Sequence, residues 1–144
     1  MADMNWDYIA GFFDGEGSFT IASQKYYFHP RLSIAQGKKG VLIAIQDYWT
    51  QHGIVSHINK EIHKPRGNVW YNLRINERKS LLIACRNLRG KLHVKEKQLR
   101  VILNILEIPS GDKSRHIPAL RKKRMEDSFE CRTELMRLNQ ERAV

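Results

Sequence analysis

The alternation of apolar and polar residues along the chain predicts four β-strands. Apolar residues occupy every second position in about residues 18–24, 31–35 and 69–75, and a less regular strand spans about residues 54–62. A period of two residues is typical of a strand with one buried face. Turns are expected between successive strands, at residues 25–30 and 64–68.

Apolar residues spaced three and four apart predict helices around these strands. Their approximate positions, with the residues that begin or end them, are 3–13 (N-cap Asp3), 41–49 (stopped by Gly53), the segment between Asn76 as N-cap and Gly90, and 95–107. After a break at residues 109–111, a weaker C-terminal helix begins in the basic stretch 113–124.

The order αββαββα followed by a tail predicts an α+β fold. In this fold a four-stranded antiparallel sheet has helices on one face and a polar opposite face. A chain of 144 residues is long enough to bury the core of one domain. We therefore expect a single domain, with residues 1–108 as its core and residues 109–144 as a basic C-terminal helical extension.

The charge of the chain is unevenly distributed. Lysine and arginine number 25 against 15 acidic residues, which gives a formal net charge of +10. Residues 1–18 hold four acidic residues and no lysine or arginine, a charge of −4, so the remainder holds 25 basic against 11 acidic residues, +14. A basic body attracts phosphates, and an acidic spot concentrates divalent cations. On charge alone, a solvated basic surface without a partner is the alternative.

Composition disfavours several other classes of protein. No apolar run approaches the length of a membrane span, and the acidic N-terminus lacks the pattern of a secretory signal. Cys85 and Cys131 have no CxxC spacing and are expected to be buried thiols, and the six histidines show no zinc spacing. We expect an intracellular protein, cytoplasmic, nucleoid-associated or organellar, with no secretion, membrane partner or small-molecule cofactor.

The end of the first predicted helix carries the most informative residues. Residues 9–17 have the sequence Ile-Ala-Gly-Phe-Phe-Asp-Gly-Glu-Gly, so Asp14 and Glu16 lie where unpaired helix carbonyls already concentrate negative charge. Each carboxylate there costs about 0.3–1 kcal/mol. A bound cation would offset that cost, and carboxylate and carbonyl oxygens are ligands that Mg²⁺ prefers. Gly11 costs about 1 kcal/mol relative to alanine, which a close approach of another backbone would explain.

This segment resembles the motif that names the LAGLIDADG homing endonucleases. Two phenylalanines replace smaller aliphatic residues, a glycine replaces alanine, and Glu16 stands where aspartate is more usual. The resemblance implies an αββαββα fold with a saddle-shaped sheet, which agrees with the predicted order. Because no second copy of the motif occurs, it also implies a homodimer whose motif helices pair through Ala10 and Gly11. An ordinary helix contact within one chain is the alternative.

The resemblance further implies a metal site and a reaction. Glu16 and the main-chain carbonyl of Gly15 would bind Mg²⁺; Mn²⁺ is expected to substitute, and Ca²⁺ to bind without supporting cleavage. In a dimer the two copies of Glu16 approach each other, and such like charges need a cation to stay ionised. Asp14 is ambiguous, because it could bind metal or cap a neighbouring helix. The reaction would be hydrolysis of double-stranded DNA that leaves short 3′ overhangs.

Two further residues match family positions with catalytic roles. Gln36, at the end of the second strand, matches the polar residue that orients the nucleophilic water, and Lys95 matches the basic residue near the scissile phosphate. A lysine there can stabilise developing negative charge. The alternatives are a strand-end turn residue for Gln36 and an exposed residue in a first helical turn for Lys95.

The polar face of the sheet is expected to lie along the major groove of DNA, which accommodates β-ribbons. Strand parity selects the residues of this face, and the loop after the second strand adds two lysines: Thr20, Ala22, Gln24, Arg31, Ser33, Lys38, Lys39, His57, Asn59, Trp70, Asn72 and Arg74. Glu61 shares the parity of His57 and Asn59. Trp70 could contact a thymine methyl group or a sugar, or pack under the neighbouring loop.

The leading hypothesis is a homodimeric, Mg²⁺-dependent, site-specific DNA endonuclease of intron or intein origin, with a long pseudo-palindromic target. The alternative is a nucleic-acid-binding protein that does not cleave, such as an RNA maturase that aids intron splicing or a DNA-binding regulator. A third hypothesis is a basic assembly protein with an accidental motif. The presence of Glu16 together with Gln36 and Lys95 favours the nuclease.

Overall fold

The computed structural model describes residues 3–24, 27–63, 66–108 and 118–141, which form five helices and four strands. In chain order these are α1 (Trp6–Glu16), β1 (Gly17–Gln24), β2 (Tyr27–Gln36), α2 (Lys39–Gln51), β3 (His57–His63), β4 (Asn68–Ile75), α3 (Arg78–Leu88), α4 (Glu96–Glu107) and α5 (Pro118–Glu141). The predicted order αββαββα followed by a helical tail is confirmed.

The four strands form one antiparallel sheet in the order β1-β2-β4-β3. Phe19 pairs with Leu32, Ile34 pairs with Leu73, and Leu73 pairs in turn with Ile58, so apolar residues lie side by side across the sheet. The alternate positions are mostly polar, and they form the opposite face because side chains alternate along a strand. The predicted α+β architecture with a polar sheet face is confirmed.

The hydrophobic core lies between the apolar face of the sheet and the helices. Its fully buried side chains include Ile9, Phe13, Phe19, Leu32, Ile34, Leu42, Ile45, Trp49, Leu73, Leu81, Leu99 and Ile102. Burial of a large apolar side chain contributes about 1.5–3 kcal/mol. This set therefore fixes which face of each element turns inward and leaves the polar face of the sheet uncovered by the core.

The sequence pattern placed α1 about three residues too early. Its N-cap is Asn5 and not Asp3, because Asn5 Oδ1 accepts a hydrogen bond from the Tyr8 backbone N–H at 2.8 Å. The helix continues through Glu16 because the carbonyls of Phe13 and Asp14 near its end both accept hydrogen bonds from a distant side chain.

The start of α3 differs from the prediction by one residue. Glu77, and not Asn76, is the N-cap of this helix. The Ser80 hydroxyl donates to Glu77 Oε1 at 3.2 Å and accepts from the Val55 N–H at 2.8 Å. These contacts tie the first turn of α3 to the segment before β3, and the sequence does not reveal the contact with Val55.

Two strand boundaries also differ from the prediction. β2 begins at Tyr27, so the expected turn over residues 25–30 is wrong from Tyr27 onward; residues 25 and 26 lie outside the described residues. Pairing with β1 lengthens the strand, and buried Pro30 lies opposite Ile21. β3 begins at His57, because the preceding Ile54 still donates its N–H to the Trp49 carbonyl at the end of α2.

The C-terminal helix, which the sequence pattern predicted only weakly, packs against the rest of the domain. α5 extends from Pro118 to Glu141, while residues 113–117 lie outside the described residues. It contacts α4 and the outer strand β1, and it buries Leu135 and Leu138. Many charged residues obscure its apolar positions, so packing on the domain explains its length better than its own pattern does.

Candidate functional site

A tight joint between α1 and β1 positions Glu16. Glu16 is the last residue of α1 and is exposed, and Gly17 begins β1 directly after it. A Cβ atom at Gly17 would lie 2.0 Å from the Phe13 ring, so only glycine fits at this joint. Because Phe13 is fully buried and packs on Phe19 at 4.7 Å between ring centroids, the joint is anchored in the core.

Glu16 opens onto a shallow depression in the polar face of the sheet. The depression has a volume of about 350 Å³ and is lined by Glu16, Ser18, Thr20, Arg31, Ser33, Ala35, Asn72 and Arg74. It combines one carboxylate with two guanidinium groups, three hydroxyl groups and one amide. Such a surface can bind phosphate oxygens and base edges while the carboxylate offers oxygen ligands to a cation.

Most residues predicted for the DNA-binding face lie together on it. Arg74 pairs with Ser33 on one side and His57 on the other, and Asn72 lies between Ala35 and Asn59. Thr20 pairs with Arg31, Ala22 pairs with His29, and Trp70 pairs with Glu61 at the exposed end of β4. The side chain of Gln24 lies outside the described residues. Ser18 joins this face although the sequence analysis did not select it, and its parity with Thr20 was the available signal.

The Asp14 carboxylate caps the start of α4. Its Oδ2 atom accepts a hydrogen bond from the His93 N–H at 2.7 Å, and Oδ1 accepts from the Val94 and Lys95 N–H groups at 3.1 Å each. The capping contact that the sequence left open is thus present, and its favourable charge at the start of α4 offsets the unfavourable one at the end of α1. Metal binding by Asp14 stays a prediction.

Lys95 makes the complementary contact: Asp14 of α1 caps the start of α4, and Lys95, the N-cap of α4, binds the end of α1. Its side chain is only 1% exposed, and Nζ donates to the Phe13 carbonyl at 3.0 Å and to the Asp14 carbonyl at 2.6 Å. Nζ also lies 5.5 Å from the centroid of the Phe13 ring. The alternative of an exposed helical residue is therefore wrong. The ammonium compensates the negative end of α1, and a role for Lys95 at the scissile phosphate stays a prediction.

Gln36 and the two loop lysines lie at the end of β2. Gln36 Oε1 accepts a hydrogen bond from the Gly37 N–H at 2.8 Å, and Gln36 shares the parity of buried Ile34, toward the helices. The exposed Lys38 is the N-cap of α2, and Lys39 Nζ lies 5.6 Å from the centroid of the Tyr71 ring. The functional roles of these side chains stay predictions.

The two residues predicted for the dimer interface differ in their surroundings. Ala10 is buried in the core of its own chain, which fits an ordinary intramolecular contact. Gly11 is exposed, and a Cβ atom added there would meet nothing within 4 Å. Within the described part of the chain, no neighbour requires a glycine at this position. The exposed side of α1, which includes Tyr8, Gly11 and Gly15, is the surface available to a second molecule.

The metal-binding potential and the pKa values of the other ionisable groups complete the description of the site. Among the described residues, no three or more His, Cys, Asp or Glu side chains come close enough to hold a metal ion. Cys85 and Cys131 are free thiols, and burial raises the pKa of Cys85 to about 12. Burial, followed by Asp127 and Glu130, raises the pKa of Cys131. The described helices include none with the length and apolar composition needed to cross a membrane.

Comparison with known proteins identifies the domain family and similar folds. Residues 3–88 match the family model described as the LAGLIDADG-like domain. No protein of curated function matches the chain. Among solved structures, the chain is similar to the homing endonuclease I-CvuI in complex with its target in the presence of calcium, with a TM-score of 0.70, 18% identity, and coverage of 92% of this chain and 80% of that chain.

The chain is also similar to two further solved structures, whose chains differ from each other in length. The LAGLIDADG meganuclease I-AabMI bound to uncleaved DNA has a TM-score of 0.72 and 19% identity, over 92% of this chain and 45% of that chain. An archaeal intron-encoded homing endonuclease complexed with DNA has a TM-score of 0.66 and 25% identity, over 90% of this chain and 82% of that chain. The chain therefore spans about four fifths of I-CvuI and of the archaeal enzyme, but less than half of I-AabMI.

Proposed function

Because the chain belongs to the family of LAGLIDADG-like domains, we propose that it is a site-specific DNA endonuclease of the homing type. The proposed products are metal-dependent double-strand breaks with short 3′ overhangs at a long pseudo-palindromic target. The observation that carries this proposal is the position of Glu16. Its exposed carboxylate lies at the end of the motif helix and at the edge of a basic, polar sheet face.

The polar sheet face is the proposed DNA-binding surface. Arg31 and Arg74 line the same depression as Glu16, so groups that bind phosphates or guanine lie next to the carboxylate. The remainder of the chain carries a strong positive charge, which favours DNA binding by release of counterions. The similar structures of I-CvuI and I-AabMI hold DNA, which supports the proposal by likeness of fold.

Glu16 and the Gly15 carbonyl are the proposed metal ligands, with Mg²⁺ as the working cation. The donor set fits, because a single exposed carboxylate at a helix C-terminus lies where a cation is favoured. When bound, the metal would polarise the phosphate and activate water. A related endonuclease, I-CvuI, was crystallised with DNA in the presence of calcium and of magnesium.

The side chains of Lys95 and Asp14 hold in place the end of α1, which carries Glu16. Lys95 binds the carbonyls of Phe13 and Asp14, and Asp14 caps α4, so the end of α1 and the start of α4 are held together before DNA binds. Fixed donors and ligands lower the reorganisation needed at the reacting phosphate. Gln36 is proposed to orient water once DNA displaces its contact with Gly37.

A homodimer would complete the nuclease. One chain supplies one Glu16, and cutting both strands requires two such sites. Gly11 is exposed on α1, and a Cβ atom added there would meet nothing within 4 Å among the described residues. A symmetric pairing of this helix with its copy would bring the two carboxylates together. Two-fold symmetry would also make the target pseudo-palindromic.

Substitution of Glu16 tests the cleavage function. Duplexes from a randomised library would be selected by binding in Ca²⁺ and then incubated with Mg²⁺. We expect the wild-type protein to cut, and Glu16→Gln to bind with similar affinity and cut at least about 100-fold more slowly, a loss of about 2.7 kcal/mol of transition-state stabilisation.

Asp47→Asn is the matched control, because it removes an acidic group on the exposed surface of α2. This variant should cut at the wild-type rate. If Glu16→Gln cuts as fast as the wild type, the metal assignment is wrong. If the wild type binds but cuts in neither Mg²⁺ nor Mn²⁺, the non-cleaving alternative is correct.

A further inference from the structure

The strands of the proposed DNA-binding face carry one acidic side chain among the described residues. Glu61 is the sole aspartate or glutamate in the strand residues that the structure describes. It pairs with Trp70 on β4, so it lies on the same face as Asn72 and Arg74. A carboxylate opposes the approach of DNA phosphates. On this basic surface Glu61 therefore has a role other than the attraction of DNA phosphates.

Glu61 binds two of the side chains that line the depression. Glu61 Oε1 accepts a hydrogen bond from Arg74 Nη2 at 3.1 Å and another from Asn72 Nδ2 at 3.3 Å. All three side chains are in one hydrogen-bonded group on β3 and β4. The group adjoins Ser33 and Ala35, the β2 partners of Arg74 and Asn72.

The register shows how the arginine is held. The direct partner of Arg74 across the strands is His57, whereas Glu61 lies four residues further along β3. The guanidinium must therefore extend along the strand, past Asn72, to reach the carboxylate. The Arg74 and Glu61 side chains remain 31% and 40% exposed, so the ion pair contributes little to folding stability. Its main effect is to restrict the orientation of Arg74.

A restricted arginine is suited to reading a base. Arginine recognises guanine through paired N–H groups that bind O6 and N7 in the major groove. One Arg74 nitrogen is occupied by Glu61, and the guanidinium has further N–H groups. Fixing the side chain beforehand lowers the entropy lost on binding and rejects bases that need another geometry.

We propose that Glu61 is a specificity-determining residue that positions Arg74 to read a guanine in the major groove. Glu61 acts through Arg74 and Asn72 and does not itself contact the guanine. This inference rests on the proposed function, because it requires the polar sheet face to lie along DNA. It names a chemical feature of the substrate: one G·C pair in each half-site, at the position over which Arg74 lies.

Base-preference profiles test the proposal. The wild type and the variants Glu61→Gln, Glu61→Asp and Arg74→Ala would each select duplexes from the same randomised library in Ca²⁺. Sequencing would give the preference at every position. The wild type should prefer guanine at one position per half-site by about 5- to 150-fold. Arg74→Ala should lose that preference, and Glu61→Gln should lose at least about fivefold of it at the same position.

Glu61→Asp separates geometry from charge. Aspartate keeps the negative charge, but its carboxylate is one methylene shorter and should not reach both partners. We expect it to lose the same preference as Glu61→Gln, whereas affinity for random DNA should rise only for Glu61→Gln. Asp47→Asn, on the exposed surface of α2, should leave the profile unchanged. Far-UV circular dichroism would verify that each variant is folded.

The outcomes separate this assignment from the proposed function. If the wild type enriches a target and Glu61→Gln gives the same profile, Glu61 does not determine specificity and the nuclease proposal stands. A change at a position other than the one lost in Arg74→Ala also overturns the assignment. If the wild type enriches no sequence, the DNA-binding function and this assignment are both wrong.

Discussion

Three residues in or packed against the end of α1 show how single positions prepare the site. Gly17 admits the Phe13 ring, Asp14 caps α4, and Lys95 binds the last carbonyls before Gly15. Asp14 and Lys95 are 81 residues apart in sequence number, yet each one compensates the helix to which the other belongs. The consequence is that Glu16, which is exposed, projects from a joint that has little freedom to move.

Replacement of Lys95, whose ammonium group is buried, should therefore lower the free energy of unfolding. Lys95→Met keeps the length of the side chain but removes the Nζ hydrogen bonds to the Phe13 and Asp14 carbonyls, of which the Phe13 carbonyl keeps its bond from the Gly17 N–H. We expect a loss of about 1–3 kcal/mol in the free energy of unfolding, measured by urea denaturation. Lys97→Met, at an exposed position of α4, is the control and should change it by less than about 0.5 kcal/mol. Equal values for the two variants would show that burial of Lys95 is not stabilising.

α5 illustrates what one element contributes to the platform. β1 is an outer strand of the sheet, and the side chains of Arg132 and Asn139 donate to its carbonyls at Ile21 and Phe19, at 3.1 and 3.2 Å. An unpaired strand edge is open to association with other chains. The tail thus covers the edge of the sheet next to the site, a role that the sequence alone did not assign.

Packing of α5 can be measured by paired substitutions. Leu135 is 1% exposed, whereas its neighbour Met136 is 48% exposed on the same helix. We expect Leu135→Ala to lower the free energy of unfolding by about 2–5 kcal/mol, because it removes buried surface and leaves a cavity. Met136→Ala should cost less than about 1 kcal/mol. If both variants cost the same small amount, α5 does not pack on the domain in solution.

The molecule as a whole separates its charges. The first 18 residues carry −4 and the rest carries +14, and the fold places Glu16 of the acidic segment beside Arg31 and Arg74. This arrangement draws DNA to the sheet and a cation to the end of α1. The fold also leaves the outer side of α1 exposed. A substitution on that side can therefore test the proposed homodimer without disturbing the fold.

Gly11 provides that test. A Cβ atom there meets no described atom of the chain, so Gly11→Leu should raise the stability of the monomer by about 0.5–1 kcal/mol through helix propensity. In a homodimer that packs through α1, the same change should weaken association at least about tenfold, measured as solution mass against concentration. Gly40→Leu, at an exposed glycine in α2, should not alter the mass. A wild-type monomer at micromolar concentration with DNA present would contradict the homodimer.

Much of the fold follows from local patterns. Apolar residues such as Leu32, Ile34 and Leu73 alternate with polar ones, and their parity alone identified the two faces of the sheet. Element boundaries were less predictable, because Asn5 rather than Asp3 caps α1 and pairing with β1 extends β2 back to Tyr27. A boundary depends on competing local caps and on partners that are distant in sequence.

The candidate site was predictable in part. The motif and the charge pattern identified Glu16, and strand parity identified Arg31, Asn72 and Arg74 as neighbours on one face. The surroundings of Lys95 were not predictable, since its partners are more than 80 residues away. The link between Glu61 and Arg74 was equally hidden, because register and side-chain reach across two strands decide it.

By itself, the sequence determined the order of the elements, the polar face and the acidic end of the first helix, because these depend on period and composition. Only the tertiary structure decided that Lys95 is buried, that α5 covers β1, and that Glu61 holds Arg74. Each of these is a contact between different secondary-structure elements. Such contacts depend on where packing brings the elements together, which no local pattern encodes.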